Sequence, residues 1–95
     1  MIIMSDTSTL FFRKHKAEWE ELLTMEIESR HKLAVLHALE IEGLRVNQVS
    51  RLEIAKTLSR HVDEYIEFRM VNHEKRFILK DKHFREKNEN DQFYY

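Results

Sequence analysis

The stretch from Arg51 to Met70 (RLEIAKTLSRHVDEYIEFRM) obeys one helical period almost residue by residue. At about 100° per residue, Ile54, Ala55, Leu58, Val62, Tyr65, Ile66 and Phe68 fall within a single arc of roughly 160°. Glu53, Lys56, Thr57, Arg60, Asp63, Glu64 and Glu67 fill the opposite side. One helix cannot hide an apolar arc that wide, so the chain folds by burying helix faces against a partner surface. Val62 sits at the centre of the arc and Glu64 on the polar side. On this reading a charge placed at Val62 is ruinous, whereas removing the Glu64 carboxylate changes little.

A second helical pattern runs from Leu10 to Glu42. Phe11, Phe12, Trp19, Leu22, Leu23 and Ile27 share one face, with His15 and Glu26 interrupting it. Glu26–Arg30 and Glu28–Lys32 are acid-before-base pairs four residues apart, each worth a few tenths of a kcal/mol. Ser5-Asp6-Thr7-Ser8-Thr9 ahead of the pattern supplies side-chain oxygens suited to capping a first turn. Leu33 to Leu39 is apolar all the way round, as in a helix covered on more than one side. Gly43, just beyond, is placed for a left-handed C-terminal cap. The pattern fits one long helix or two with a bend near Ser29.

Leu44 to Val49 reads as the linker, and Ser50 with Glu53 three residues on forms a capping-box pattern at the start of the next helix. Beyond Met70 the period fails. Asn72-His73 is a candidate helix end, and Arg76 to Lys80 fits a short strand or part of a third helix. No internal repeat is visible. The expected organisation is a flexible arm over residues 1–8, one helical domain over 9–85 and a polar tail over 86–95, with aromatics Phe93, Tyr94 and Tyr95 at its end.

With no proline and a single glycine, the chain lacks the punctuation that short strands and tight turns require. A net charge of −1 exerts no global pull on phosphate or anionic lipid. The absence of cysteine excludes a disulfide framework, a thiolate zinc site and a cysteine nucleophile, and fits a reducing compartment. Met1 to Met4 is far shorter than a signal-peptide core, and no run approaches the roughly 18 apolar residues of a membrane span. These features lead us to expect a cytoplasmic protein that makes no membrane contact.

Six histidines raise the question of metal. Helical ligands must leave one face at a spacing of three or four residues. Glu28-x-x-His31 has the order found in di-iron bundles, while His15-x-x-Glu18, His37-x-x-Glu40 and His61-x-x-Glu64 have the reverse order. A di-iron site within one chain needs two Glu-x-x-His pairs and two further glutamates, and there is one such pair. The histidines are therefore read as ordinary surface or boundary groups, and no metal or cofactor is expected. His37 is the exception, because it lies inside an apolar segment and needs a hydrogen-bond partner there. No phosphate loop, nucleophile elbow or H-E-x-x-H pair is present, so no enzymatic activity is expected.

Basic residues form two clusters. Arg13, Lys14 and Lys16 make one; Lys75, Arg76, Lys80, Lys82, Arg85 and Lys87 make the other, interleaved with acids. From Arg30 to Phe84 the order of features resembles a winged helix-turn-helix domain. Leu33 to Gly43 corresponds to its first helix, Ser50 to Leu58 to its second, Ser59 to Val71 to its recognition helix and Glu74 to Lys82 to its wing. The I-A-x-x-L of Ile54, Ala55 and Leu58 is similar to the second helix of many bacterial and viral repressors. The resemblance implies DNA contacts by Ser59, Arg60, Arg76, Lys80 and Lys82. The pattern departs at Ser59-Arg60-His61, where the helical period runs on without the usual turn.

The expected fold is all-α: two long amphipathic helices in an antiparallel hairpin, an ambiguous C-terminal segment, and completion by a second copy. The expected function is that of a small regulatory or adaptor protein binding another protein through helix faces, with Phe11, Phe12, Trp19, Leu36, His37, Val62, Tyr65 and Ile66 at the interface. A winged-helix DNA-binding transcriptional regulator is the alternative.

Overall fold

The computed structural model describes the backbone of residues 4–93 and the side chains of residues 9–89. Side-chain expectations for Ser5, Asp6, Thr7 and Ser8, and for the terminal aromatics Phe93, Tyr94 and Tyr95, lie outside the described side chains. The chain forms two helices, α1 (Met4–Val46) and α2 (Arg51–Phe93), and no strand occurs among the described residues. It is an all-α helical hairpin.

Helix α1 passes Ser29 without a break and also passes Gly43, so the pattern up to Glu42 is one helix and not two. The segment is rich in Leu, Glu, Lys and Ala, and an isolated glycine costs a helix about 1 kcal/mol without ending it. The Gly43 carbonyl accepts an ordinary helical bond from Asn47 N–H (3.1 Å), and no glycine has positive φ. The expected cap at Gly43 is thus corrected. Closure comes five residues later at Gln48, whose φ is 54°. Gln48 N–H bonds Arg45 O at 3.1 Å and Val49 N–H bonds Leu44 O at 3.2 Å, the paired bonds of a Schellman motif. Ser50 then starts α2, its Oγ accepting the Glu53 N–H at 3.2 Å.

Helix α2 continues through Asn72-His73 and through Arg76 to Lys80, which resolves both ambiguous segments as helix. The Asn72 amide donates to the Phe68 carbonyl one turn back (2.8 Å), a bond made inside a helix, not at its end. Ser59, Arg60 and His61 are helical, as are residues 74–82, where the winged-helix arrangement has its turn and its wing.

The chain divides into two compact units. The turn unit, Glu26–His73, holds the end of α1, the connection and the start of α2; the terminal unit pairs Met1–Met25 with Glu74–Tyr95. In each, antiparallel segments of α1 and α2 lie side by side. No hydrophobic side chain among the described residues is buried; the buried groups are His61 and Asn72, each 7% exposed. In the single chain the apolar arc of α2 is therefore left open. Val62, at the centre of the apolar arc, is 58% exposed, and Leu58 and Ile66 are about equally open. The line turned toward α1 is instead His61, Glu64, Phe68 and Asn72, at the edge of the arc. Within the single chain Leu36 and Leu39 are likewise exposed.

Candidate functional site

The inward line of each helix repeats every eleven residues, which is three turns at about 3.67 residues per turn and so keeps one side of the helix. On α1 it runs His15, Glu26, His37; on α2 it runs His61, Asn72, His83. Each histidine opens a His-x-x-Glu segment, and on each helix the two segments are 22 residues apart (15 to 37, 61 to 83). The helix pair brings these segments together two by two. The chain therefore contains an internal His-x-x-Glu repeat, whose pairing shows only when the helices are laid side by side.

In the turn unit His37 and His61 stack face to face, with ring centroids 3.7 Å apart and planes within 8°. His37 Nε2–H donates to the Glu64 carboxylate at 2.8 Å, and His61 Nε2–H donates to Glu40 at 3.1 Å, so each ring is answered from the other helix. Arg60 closes the group by pairing with both Glu40 and Glu64. The hydrogen bond from His37, then that from Arg60, holds the Glu64 carboxyl below its usual range. An ionised carboxylate only accepts, which places the proton of the facing ring on Nε2. Burial is the main influence lowering the His61 pKa, reinforced by the charges of His37 and Arg60 against the opposing pull of Glu64.

The terminal unit repeats the arrangement with Lys82 in place of Arg60. His15 and His83 stack at 3.8 Å with planes within 8°. His15 Nε2–H donates to Glu86 at 2.8 Å, the bond that chiefly lowers the Glu86 pKa. Lys82 reaches Glu18 at 2.8 Å and Glu86 at 3.8 Å. The bond with Glu18 depresses the pKa of the carboxyl and raises that of the ammonium. The fourth contact is not made: His83 Nε2 lies 3.6 Å from Glu18, too far for a hydrogen bond. His83 Nε2 and Glu18 Oε1 are both buried without a partner among the described residues. Phe11 tilts against His15 at 4.1 Å and Trp19 meets His83 edge-on at 6.2 Å, so aromatic carbon shields this stack.

Among the described residues no group of three or more His, Asp or Glu is arranged to hold a metal ion. Stacking explains this, because parallel rings that each face a separate carboxylate do not point their nitrogens at one centre. Glu28 and His31 are both exposed. Three of the four imidazoles are hydrogen-bonded to one carboxylate on the opposing helix, a pairing that a slipped register would break.

Of the expected interface residues, Phe11, Trp19 and His37 are half-buried. Phe12, Leu36, Val62, Tyr65 and Ile66 face solvent, from 42% to 63% exposed. Of the expected DNA contacts, Arg60 and Lys82 are each held by two glutamates, and Arg76 also has an interaction within the chain. Ser59 and Lys80 are exposed. Sequence reasoning missed Glu18, Glu40, Glu64 and Glu86 as partners, and with them His15, His61 and His83 as inward groups. The available signal was a cation followed by His-x-x-Glu, present as Arg60-His61-x-x-Glu64 and Lys82-His83-x-x-Glu86.

No helix among the described residues is long and apolar enough to cross a membrane. The chain matches no family model, no curated protein and no solved structure, so its own residues carry the functional argument.

Proposed function

We propose that this is a small regulatory or adaptor protein that acts by laying its helix faces against those of another protein chain. One observation carries the reading: among the described residues the helix pair buries no hydrophobic side chain, while Phe12, Ile27, Leu36, Leu39, Val62 and Met70 are all more than half exposed. A domain near 95 residues depends on burying most of its apolar surface to offset chain entropy. Apolar patches beyond a few hundred Å² on a free surface mark places where another molecule sits. The pair offers polar specificity on the inside and apolar adhesion on the outside, the reverse of a self-sufficient domain. The DNA-binding reading has no comparable support, because Arg60 and Lys82 are already neutralised within the chain.

The test is far-UV circular dichroism on a dilution series with sedimentation in parallel. Helicity should fall when the chain is diluted to a free monomer of 11.7 kDa, and melting should lose cooperativity. A monomer with full helicity and a sharp melt independent of concentration would overturn the proposal.

A further inference from the structure

We infer that the groove on one side of the terminal unit binds the same groove of a second copy of this chain, about a two-fold axis running along the helices. The inference rests on the interaction reading above and names the partner.

The groove has a volume of about 340 Å³ and takes its walls from both helices. Its floor is apolar: Leu22 and Met25 from α1, Ile78 and Leu79 from α2. Met25 and Ile78 are 54% and 58% exposed, so the floor is open and not already filled. Its edges differ in charge. Glu18 and Glu21 stand on the α1 edge, Lys75 and Lys82 on the α2 edge. Lys82 is tied to Glu18, whereas Glu21 and Lys75 have no ion partner among the described residues.

A two-fold interface uses one patch twice, so the patch must complement itself. An apolar strip with an acidic edge and a basic edge does so in one orientation. With the axis along the helices, α1 of one copy lies over α2 of the other. Each Glu21 then faces Lys75 of the opposite copy, and Leu22 and Met25 pack on Ile78 and Leu79. With the axis across the helices, acidic edge meets acidic edge and basic meets basic, which disfavours that dimer. The strip itself supplies the complement that its apolar floor and both of its edges require. The second copy is therefore the occupant.

Because the chain has no cysteine, single thiols report the geometry cleanly. Glu21→Cys and Lys75→Cys chains are refolded separately and together, then oxidised at micromolar concentration. The mixture should form the crossed disulfide several-fold faster than either variant alone forms its own. Sedimentation equilibrium adds a second reading: Glu21→Lys or Lys75→Glu should each weaken self-association by about tenfold. The double variant Glu21→Lys/Lys75→Glu should recover most of the affinity. Faster Glu21→Cys self-pairing, or a dimer indifferent to both charge reversals, overturns this inference and leaves the interaction reading standing. A chain that never self-associates but gains helicity on another protein does the same. A stably folded monomer removes both.

Discussion

Gln48 holds φ at 54°, a region that an L side chain enters at a cost of roughly 1 kcal/mol. It does so because the two bonds closing α1 need a left-handed residue between Val46 and Val49, and the only glycine lies elsewhere. Gln48→Gly should relieve the strain and return part of the gain as unfolded-chain entropy, for a net stabilisation of about 0.5 kcal/mol. The measure is the urea midpoint at fixed protein concentration; a loss would mean that the glutamine side chain contributes something the backbone geometry does not show. Glu64 and Val62 give a second comparison. Glu64→Ala removes the acceptor of both His37 and Arg60, whereas Val62→Asp changes a side chain that is 58% exposed in the single chain. At a protein concentration too low for association the midpoint should fall more for Glu64→Ala. Where the chain is associated Val62→Asp should cost more, because Val62 lies on the face proposed to be covered. A Val62→Asp effect that does not change with concentration would take Val62 out of that face.

At the scale of the helix, Gly43 tests whether α1 is continuous. It lies in the helix interior with φ in the ordinary range, and an added Cβ meets nothing within 4 Å. Gly43→Ala should stabilise by about 1 kcal/mol, the helix-propensity difference. A left-handed cap would respond with destabilisation instead, so thermal unfolding of this one variant separates the two. The helices themselves were legible in the sequence: the periodic stretches, the missing proline and the Ser50–Glu53 cap point to a hairpin. The inward face was not legible. Ile54, Leu58, Val62, Ile66 and Met70 recur every four residues, a step that drifts about 40° each time and carries the apolar line around the helix. The eleven-residue line through His61, Asn72 and His83 drifts only about 20° per repeat, and so it can follow a partner helix. Reading polar residues as solvated hid that line, because imidazoles and carboxylates become suitable interior groups only once each has its counterpart across the pair. His37 alone drew notice, for lying among leucines. Its carboxylate partner comes from α2, 27 positions away, which no local pattern encodes.

For the whole molecule, the shifted groups set a pH range of greatest stability. The His61 pKa lies below the ordinary 6.5, so the unfolded chain takes its proton first. Stability should then decline as pH falls from about 6.5 toward the lowered folded value. Glu18, Glu64 and Glu86 lie below 4.5 when folded, which adds a second loss as pH falls through that region. Lys82 is raised above 10.5, so its contribution is present below that value and disappears as pH rises through the folded pKa. The plateau should therefore extend from about pH 7 to about pH 10. The first loss belongs to one quartet. A proton on His61 sits against His37 at 3.7 Å and beside Arg60, with Glu40 and Glu64 as the opposing charges. Desolvation decides the sign, because His61 is the more deeply buried ring of the stack and its contact with Glu40 is the longer of the two. Urea midpoints measured at constant protein concentration from pH 8 to pH 5 should fall in the parent chain. In His61→Gln, where the side chain keeps a donor for Glu40 and cannot titrate, the same series should be flatter. Stability that instead rises below pH 6.5 would mean that Glu40 and Glu64 outweigh burial, and the direction assigned to His61 would be wrong.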